Sequence, residues 1–264
     1  MPFTPAHIAA VLPLRNRWKL VWSALVVGSL IPDIAHFFSL GQTGHYFHVF
    51  PGIVFFTFPI SFFVVWAFHN IVKEPMLHIL PNGVAERLDP APFRFRGRVG
   101  LILLSLAIGI ATHLAWDSFT HENTVMSEAL NLGSKAMQVP VVGPRAVFKI
   151  LQWGSSVLGL VLVVVAIWFW YTHTKPRWKF KSTYSGFTKF AFWSLVILVA
   201  LGIGVRHALS LDSSLLFTRW GFLVTLIGAM AVSFWEVVVF SVFYQLHKRW
   251  MMRQRTDTSA SSTL

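Results

Sequence analysis

The chain has 264 residues, of which 55% are hydrophobic and only 12% are charged, and its mean hydropathy is +0.62. Soluble domains carry about 25% charged residues, and several apolar runs in this chain approach the roughly 20 residues that cross a bilayer. The composition therefore predicts an all-α integral membrane protein and excludes an ordinary soluble enzyme. The chain contains no Cys, which excludes disulfides and thiolate metal sites.

Six apolar runs predict about six transmembrane helices, at Leu20–Leu40, His48–Asn70, Val99–Phe119, Val147–Tyr171, Phe187–Arg206 and Leu215–Tyr244. The apolar stretch that precedes them, Thr4–Arg15, would be only about 18 Å long as a helix, so we expect it to be interfacial or re-entrant. A single transmembrane domain is predicted over 1–246, with most of the unusual chemistry in 1–145 and further spans in 146–246. The basic, Ser/Thr-rich tail 247–264 is predicted to be disordered and cytoplasmic.

The net charge of +12 is explained by the distribution of Lys and Arg around these spans, and no nucleic-acid partner is expected. If the first full span runs outward, nearly every basic residue lies on the cytoplasmic side. The exceptions are Lys135, Arg145, Lys149, Arg206 and Arg219. The positive-inside rule then predicts a multi-pass protein with its C-terminus in the cytoplasm and the lipid bilayer as its surroundings.

Three ionisable residues are predicted to line one face of the third span near its outer end. His113, Asp117 and His121 recur at intervals of four residues, which places them within about 80° of one another around a helix. Ionisable groups at membrane depth are costly and by default mark a functional site.

Other ionisable residues are predicted on the same side of the membrane. Asp33 and His36 are three residues apart near the outer end of the first span, on one helix face. The loop that joins the first two spans carries His45 and His48. His7 reaches the same depth if the N-terminal helix is re-entrant, whereas in an interfacial helix it lies at the inner surface.

This set of side chains predicts a metal site. Neutral imidazoles and carboxylates without thiolates suit Zn, Fe or Mn. His113 and His121 are about 12 Å apart along the helix axis, so two ions roughly 3.5–4 Å apart and bridged by a carboxylate such as Asp117 fit the spacing better than one. The alternatives without metal are packed histidines and a hydrogen-bonded Asp33–His36 pair.

Several motifs resemble a family of uncharacterised bacterial membrane proteins. They are Pro2-Phe3-Thr4-Pro5-Ala6-His7, Gly28-Ser29-Leu30-Ile31-Pro32-Asp33, His48-Val49-Phe50-Pro51-Gly52, Phe68-His69 and Trp116-Asp117-Ser118-Phe119-Thr120-His121. The resemblance covers residues 1–170. It implies a location in the bacterial inner membrane. The family is a domain of unknown function and therefore supplies little chemistry.

A looser similarity is more informative about chemistry. The order His, GS-x-x-PD-x-x-H, a loop His and H-x-x-x-D-x-x-x-H resembles the predicted membrane-bound metal-dependent hydrolases, which are distantly similar to the zinc-dependent phospholipase C-like superfamily. This resemblance implies zinc, a phosphoester or lipid-like substrate, and the metal ligands His7, Asp33, His36, His48, His113, Asp117 and His121. The loop between the first two spans departs from the hydrolase pattern, which has a longer stretch there. This leaves two candidates for the loop ligand, His45 and His48, of which we favour His48.

The leading hypothesis is a metal-dependent hydrolase at the outer side of the membrane. Metal-bound water would attack a phosphoester, with Asp33 or Asp117 as the catalytic base. One alternative is a metal or small-solute transporter, for which Glu236 adds an ionisable group within the last span. Another is a non-catalytic protein whose His/Asp cluster only joins spans. The sequence leaves the substrate and the oligomeric state open.

Overall fold

The computed structural model describes residues 3–38, 47–140, 143–211 and 218–261, and within these ranges it places all side chains except those of 35–38, 211, 219, 220, 223 and 256–261. The described part of the chain is almost entirely helical. Five of its helices are long and apolar enough to cross a membrane. The predicted all-α, polytopic helical fold is therefore confirmed.

Apart from a 3-10 helix over Ile31–Phe38, the described residues form nine helices and two strands. In chain order they are α1 (Thr4–Leu14), α2 (Trp22–Leu30), α3 (Ile53–Ile79), α4 (Asn82–Ala85), α5 (Val99–Thr120), α6 (Val125–Ala129), β1 (Ala136–Val139), β2 (Gly143–Ala146), α7 (Val147–His173), α8 (Gly186–Leu211) and α9 (Arg219–Ser261). The two strands form an antiparallel hairpin in which Ala136 pairs with Ala146 and Val139 with Gly143.

The first predicted span is shorter as an α-helix than the sequence indicates. The apolar run Leu20–Leu40 gives α2, which ends at Leu30, followed by a 3-10 helix over Ile31–Phe38. Pro32 has no N–H to donate and its ring clashes with the preceding turn, so regular α-helix is disfavoured there. The apolar stretch Trp22–Ile34 is too short to cross a bilayer. The described residues therefore contain five long helices and not six.

The remaining predicted spans are found as helices, with some ends displaced. The starts of α5, α7 and α8 agree closely with the sequence, whereas α3 extends further toward the C-terminus than predicted. The last helix continues to Ser261, where the sequence predicts a disordered tail. The Lys, Arg, Met and Gln residues that follow His247 are good helix formers, which explains the continuation.

The chain divides into two compact units, and the first holds the predicted site residues that the structure describes with side chains. It comprises Met1–Ala35, Ser39–Val65 and Arg94–Thr174. Within it, α2 and α5 meet backbone to backbone: a Cβ on Gly28 or on Gly109 would lie 2.5 Å from a carbonyl oxygen of the other helix. Only glycine permits this approach. Asp33 and His113, each about one turn beyond a glycine, are brought together by the contact.

The N-terminal helix α1 folds back along α2 and also packs on α7. The connection between α1 and α2 reverses the chain through three residues with positive φ: Asn16, Trp18 and Lys19. A Cβ on Gly159 of α7 would lie 2.7 Å from the Cβ of Ala6. The neighbouring Ser156 Oγ accepts a hydrogen bond from the Phe3 N–H at 3.0 Å. This packing carries His7 into the interior of the unit.

The second unit comprises His36–Phe38, Trp66–Phe93 and Lys175–Leu264. Its α8 and α9 form a hairpin in which a Cβ on Gly204 would lie 2.5 Å from a carbonyl oxygen of α9. Lys189 Nζ donates hydrogen bonds of 2.7 Å to Leu80 O and to Asn82 Oδ1, and so satisfies a carbonyl beyond the end of α3.

Candidate metal centre

The stripe predicted on the third span lies at the C-terminal end of α5. His113 and Asp117 are buried, and His121 follows the last helical residue, with its N–H bonded to Asp117 O at 3.0 Å. His113 Nε2 is 3.3 Å from Asp117 Oδ2, and His121 Nδ1 is 3.5 Å from Asp117 Oδ1. The two oxygens of one carboxylate therefore face two different imidazoles.

The tautomer of His113 is set by the backbone of α2. His113 Nδ1 lies 2.9 Å from Ser29 O, and because a carbonyl oxygen only accepts, Nδ1 is the protonated nitrogen. Nε2 then carries a lone pair in a neutral ring, and in the described residues it has no hydrogen-bond partner. Metal-bound histidines typically donate their other N–H to a carbonyl in this way.

Asp33 reaches the same point from the 3-10 helix that continues α2. Its Oδ2 accepts a hydrogen bond of 2.8 Å from Thr4 Oγ1, which fixes the carboxylate. Its Oδ1 lies 3.7 Å from His113 Nε2 and finds no hydrogen-bond partner among the described residues. A carboxylate oxygen and an imidazole lone pair repel each other unless a cation lies between them.

His48 completes a group of four. Its Nε2 is 3.6 Å from Asp33 Oδ1 and 3.9 Å from Asp117 Oδ2. One ligand atom each from Asp33, His48, His113 and Asp117 lies within 4.8 Å of all the others. Ligands bound to one zinc ion at about 2.0–2.2 Å are about 3.5 Å apart, so these four residues could hold a metal ion after small shifts.

His7 contacts the other oxygen of Asp117. Its Nε2 is 3.5 Å from Asp117 Oδ1, and its ring stacks on that of His113 with centroids 3.9 Å apart. Both of its ring nitrogens lack a hydrogen-bond partner within the described part of the chain. An imidazole whose nitrogens have no other partner can act as a metal ligand.

The cluster is most exposed at two of its histidines. The side chains of Asp33, His7 and His113 are at most 1% exposed, whereas those of His48 and His121 are 24% and 28% exposed. Among the described residues, solvent therefore reaches the cluster mainly at His48 and His121.

Three supporting groups were missed by the sequence analysis: the Thr4 hydroxyl, the Ser29 carbonyl and the Gln152 amide. Thr4 and Ser29 stand inside the motifs that carry the family resemblance, but their roles depend on packing between helices. Gln152 is 3% exposed in α7, and its Nε2 lies 3.5 Å from His121 Nε2. The sequence could have indicated the role of Gln152, because a Gln in an apolar span with Ser155 and Ser156 on the same face marks a polar contact.

One predicted ligand, His36, and the alternative loop histidine, His45, are not tested by this geometry. His36 lies in the 3-10 helix Ile31–Phe38, but its side chain is outside the described ones, and His45 lies outside the described residues altogether. The other six predicted site residues, His7, Asp33, His48, His113, Asp117 and His121, are brought together around the Asp117 carboxylate.

Fold and site together define a multi-pass helical protein with a buried His/Asp group that could hold a metal ion. The chain belongs to the family described as a domain of unknown function (DUF4184), whose model matches residues 1–242. No curated protein and no solved structure matches the chain.

Proposed function

We propose that this protein is a membrane-embedded, metal-dependent hydrolase that cleaves a phosphoester in a lipid-like substrate. The observation that carries the proposal is the convergence of imidazole nitrogens and carboxylate oxygens around Asp117, several of them buried and without hydrogen-bond partners in the described residues. Buried polar groups almost always have hydrogen-bond or metal partners. A bound cation would supply the partner that these nitrogens and oxygens lack. Hydrolysis is favoured by the partial exposure of His48 and His121 and by the resemblance of the cluster's motifs to predicted hydrolases.

Asp117 is positioned to serve two ions. Its Oδ2 faces His48 and His113, and its Oδ1 faces His7 and His121. Asp33 joins the first set and not the second. We therefore assign one divalent cation, zinc by preference, to the four-residue group, and a second to the His7–His121 side.

Each residue then has a definite task. When bound, a divalent cation would supply a water of lowered pKa and polarise the phosphoryl oxygen. Asp117 would contribute to both ligand sets, and Asp33, whose Oδ2 is fixed by Thr4, would direct its Oδ1 toward the first ion. Asp33 or Asp117 would accept the proton of that water as general base. Nδ1 of His113 donates to Ser29 O, which leaves Nε2 as the ring nitrogen available to a metal ion.

The location follows from the basic residues. With the positive-inside orientation, the cluster lies at the outer side of a bacterial inner membrane and the C-terminus lies in the cytoplasm. A substrate at that depth has lipid character.

Metal analysis of the purified protein tests the proposal. Wild type should contain at least one equivalent of Zn, Mn or Fe, and Asp117→Asn, which keeps the side-chain size, should lose it. Glu128→Gln, at an exposed carboxylate of α6 in the same unit, is the matched control and should retain metal. Metal-free, folded wild type would refute the proposal.

A second measurement separates hydrolysis from a structural role. The cluster links α1, α2 and α5, so a metal that only joins these helices is the second candidate. Metal-loaded protein should hydrolyse a chromogenic phosphodiester or phospholipids in mixed micelles, and Asp33→Asn should abolish the activity. Stoichiometric metal without any hydrolysis would favour the structural role.

A further inference from the structure

A basic residue that the proposed mechanism does not use lies near His121, on the more exposed side of the cluster. Lys149 lies in the first turn of α7, and its Nζ donates to Gln152 Oε1 at 3.1 Å. The amide nitrogen of the same Gln152 lies 3.5 Å from His121 Nε2. Two consecutive side-chain contacts therefore connect Lys149 to His121, one of the two exposed histidines of the cluster.

The ammonium group of Lys149 has no carboxylate within 4 Å among the described residues, in contrast to Lys248, which pairs with Glu74. A cation in the first turn of a helix is also disfavoured by the helix dipole. Among the described residues, Lys149 Nζ donates to Gln152 Oε1 and lies 5.6 Å from the centroid of the Phe148 ring, and neither contact neutralises its charge. An anion from outside could therefore pair with this ammonium.

We infer that Lys149, held by Gln152, forms an anion subsite beside the metal centre and binds the phosphoryl group of the substrate. This inference rests on the proposed function and names its substrate class: a molecule with an anionic phosphate that enters between His48 and His121. The long, flexible side chain of Lys149 allows its ammonium to exchange the Gln152 oxygen for a phosphate oxygen. Gln152 is a positioning residue that holds both Lys149 and His121 at the opening.

The chemical contrast at this opening supports an anionic ligand. The buried part of the cluster is rich in carboxylate, since Asp33 and Asp117 both point into it. An anion is repelled there unless metal is bound. Lys149 is the basic residue in the described part of the chain that hydrogen bonds connect to the cluster.

The test measures the binding of inorganic phosphate to the metal-loaded, full-length protein by isothermal titration in detergent. Lys149→Gln should weaken phosphate binding about tenfold or more, because a charge-assisted hydrogen bond is lost. Its metal content should equal that of wild type. Lys149→Arg should retain most of the affinity, since it preserves the charge.

The matched control is Lys135→Gln. Lys135 directly precedes β1, and its ammonium donates to Leu130 O and not to Gln152. Its phosphate affinity should stay within about twofold of wild type, as expected for an exposed charge. The wild-type affinity should also fall with added NaCl more steeply than that of Lys149→Gln.

The outcomes distinguish this inference from the proposed function. Metal-loaded wild type that binds no phosphate, or binds it equally well with Lys149→Gln, would overturn the anion subsite and leave the metal centre standing. Loss of metal in Lys149→Gln would also overturn it, because Lys149 would then have a structural role. Metal-free wild type would overturn both.

Discussion

The α2–α5 pair of the first unit and the α8–α9 hairpin of the second are built with the same packing device. In each pair a glycine lets one backbone touch a carbonyl of the other helix. Beside its glycine contact, the α8–α9 hairpin buries small apolar residues, Ala200, Ala208 and Ala229. About one turn beyond the glycines of α2–α5, ionisable residues meet instead.

This difference shows what converts a helix contact into a site. Close approach of two backbones fixes the helices to within a fraction of an ångström, but by itself it only packs them. In α2–α5 this close contact also fixes the positions of Asp33 and His113. Thr4 holds one carboxylate oxygen of Asp33 and Ser29 holds one ring nitrogen of His113, so the remaining Oδ1 and Nε2 point toward each other. A metal site requires that the residues that bind the metal are held rigidly.

The largest effect is expected from breaking the glycine contact in the first unit. Gly109→Ala places a Cβ 2.5 Å from Leu25 O, so the helices must separate. We expect a loss of about 1–3 kcal/mol in the free energy of unfolding, together with loss of bound metal. Unfolding midpoints and metal content should be measured together.

Two variants calibrate that result. Gly100→Ala lies in the same helix with nothing within 4 Å of the new Cβ. It should be neutral or stabilising by about 0.5–1 kcal/mol. Gly204→Ala in the α8–α9 hairpin should destabilise the protein while metal content stays unchanged. Equal metal loss in Gly109→Ala and Gly204→Ala would remove the distinction between the pairs.

A smaller effect is expected from removing one supporting hydrogen bond. Thr4→Val deletes the hydroxyl that donates to Asp33 Oδ2 and keeps the side-chain shape. Metal affinity should fall about 10–100-fold, the usual consequence of losing a partner that orients a ligand, with little change in folding. Competition with a metal chelator measures it. Thr172→Val, at an exposed threonine of α7, is the control and should bind metal as wild type does.

The smallest effect on folding and metal content is expected from single cysteine substitutions, which are used to determine on which side of the membrane a residue lies. Because the chain has no Cys, each substitution gives one labelling site. An impermeant maleimide applied to intact cells should label Val125→Cys, near the cluster, and should label Met252→Cys only after the cells are opened. Both positions are exposed. The reverse pattern would place the cluster in the cytoplasm.

Much of the architecture was predictable because it rests on long apolar runs. The helices α5, α7 and α8 follow directly from 20-residue stretches of apolar sequence. The break in the α-helix after Leu30 was missed because the sequence on both sides of Pro32 and Asp33 is apolar. Hydropathy does not distinguish an α-helix from a 3-10 helix of the same composition.

The site was predictable in its residues and less so in its arrangement. The periodicity of His113, Asp117 and His121 indicated one face, and the positive-inside count indicated one side. The placement of His7 depends on Gly159 against Ala6, a contact between residues far apart in the sequence. Spacing within one helix carries no information about such a contact.

The packing of α1 on α7 also has a consequence for biosynthesis. His7 and Gly159 are far apart in the sequence and chains are made from the N-terminus, so α1 gains its packing surface on α7 only when the chain has been synthesised through Gly159. The two sides of the Asp117 carboxylate are therefore completed at different times. The proposed metal ligands would form a full set only once α7 is in place, so a metal centre here would mature late.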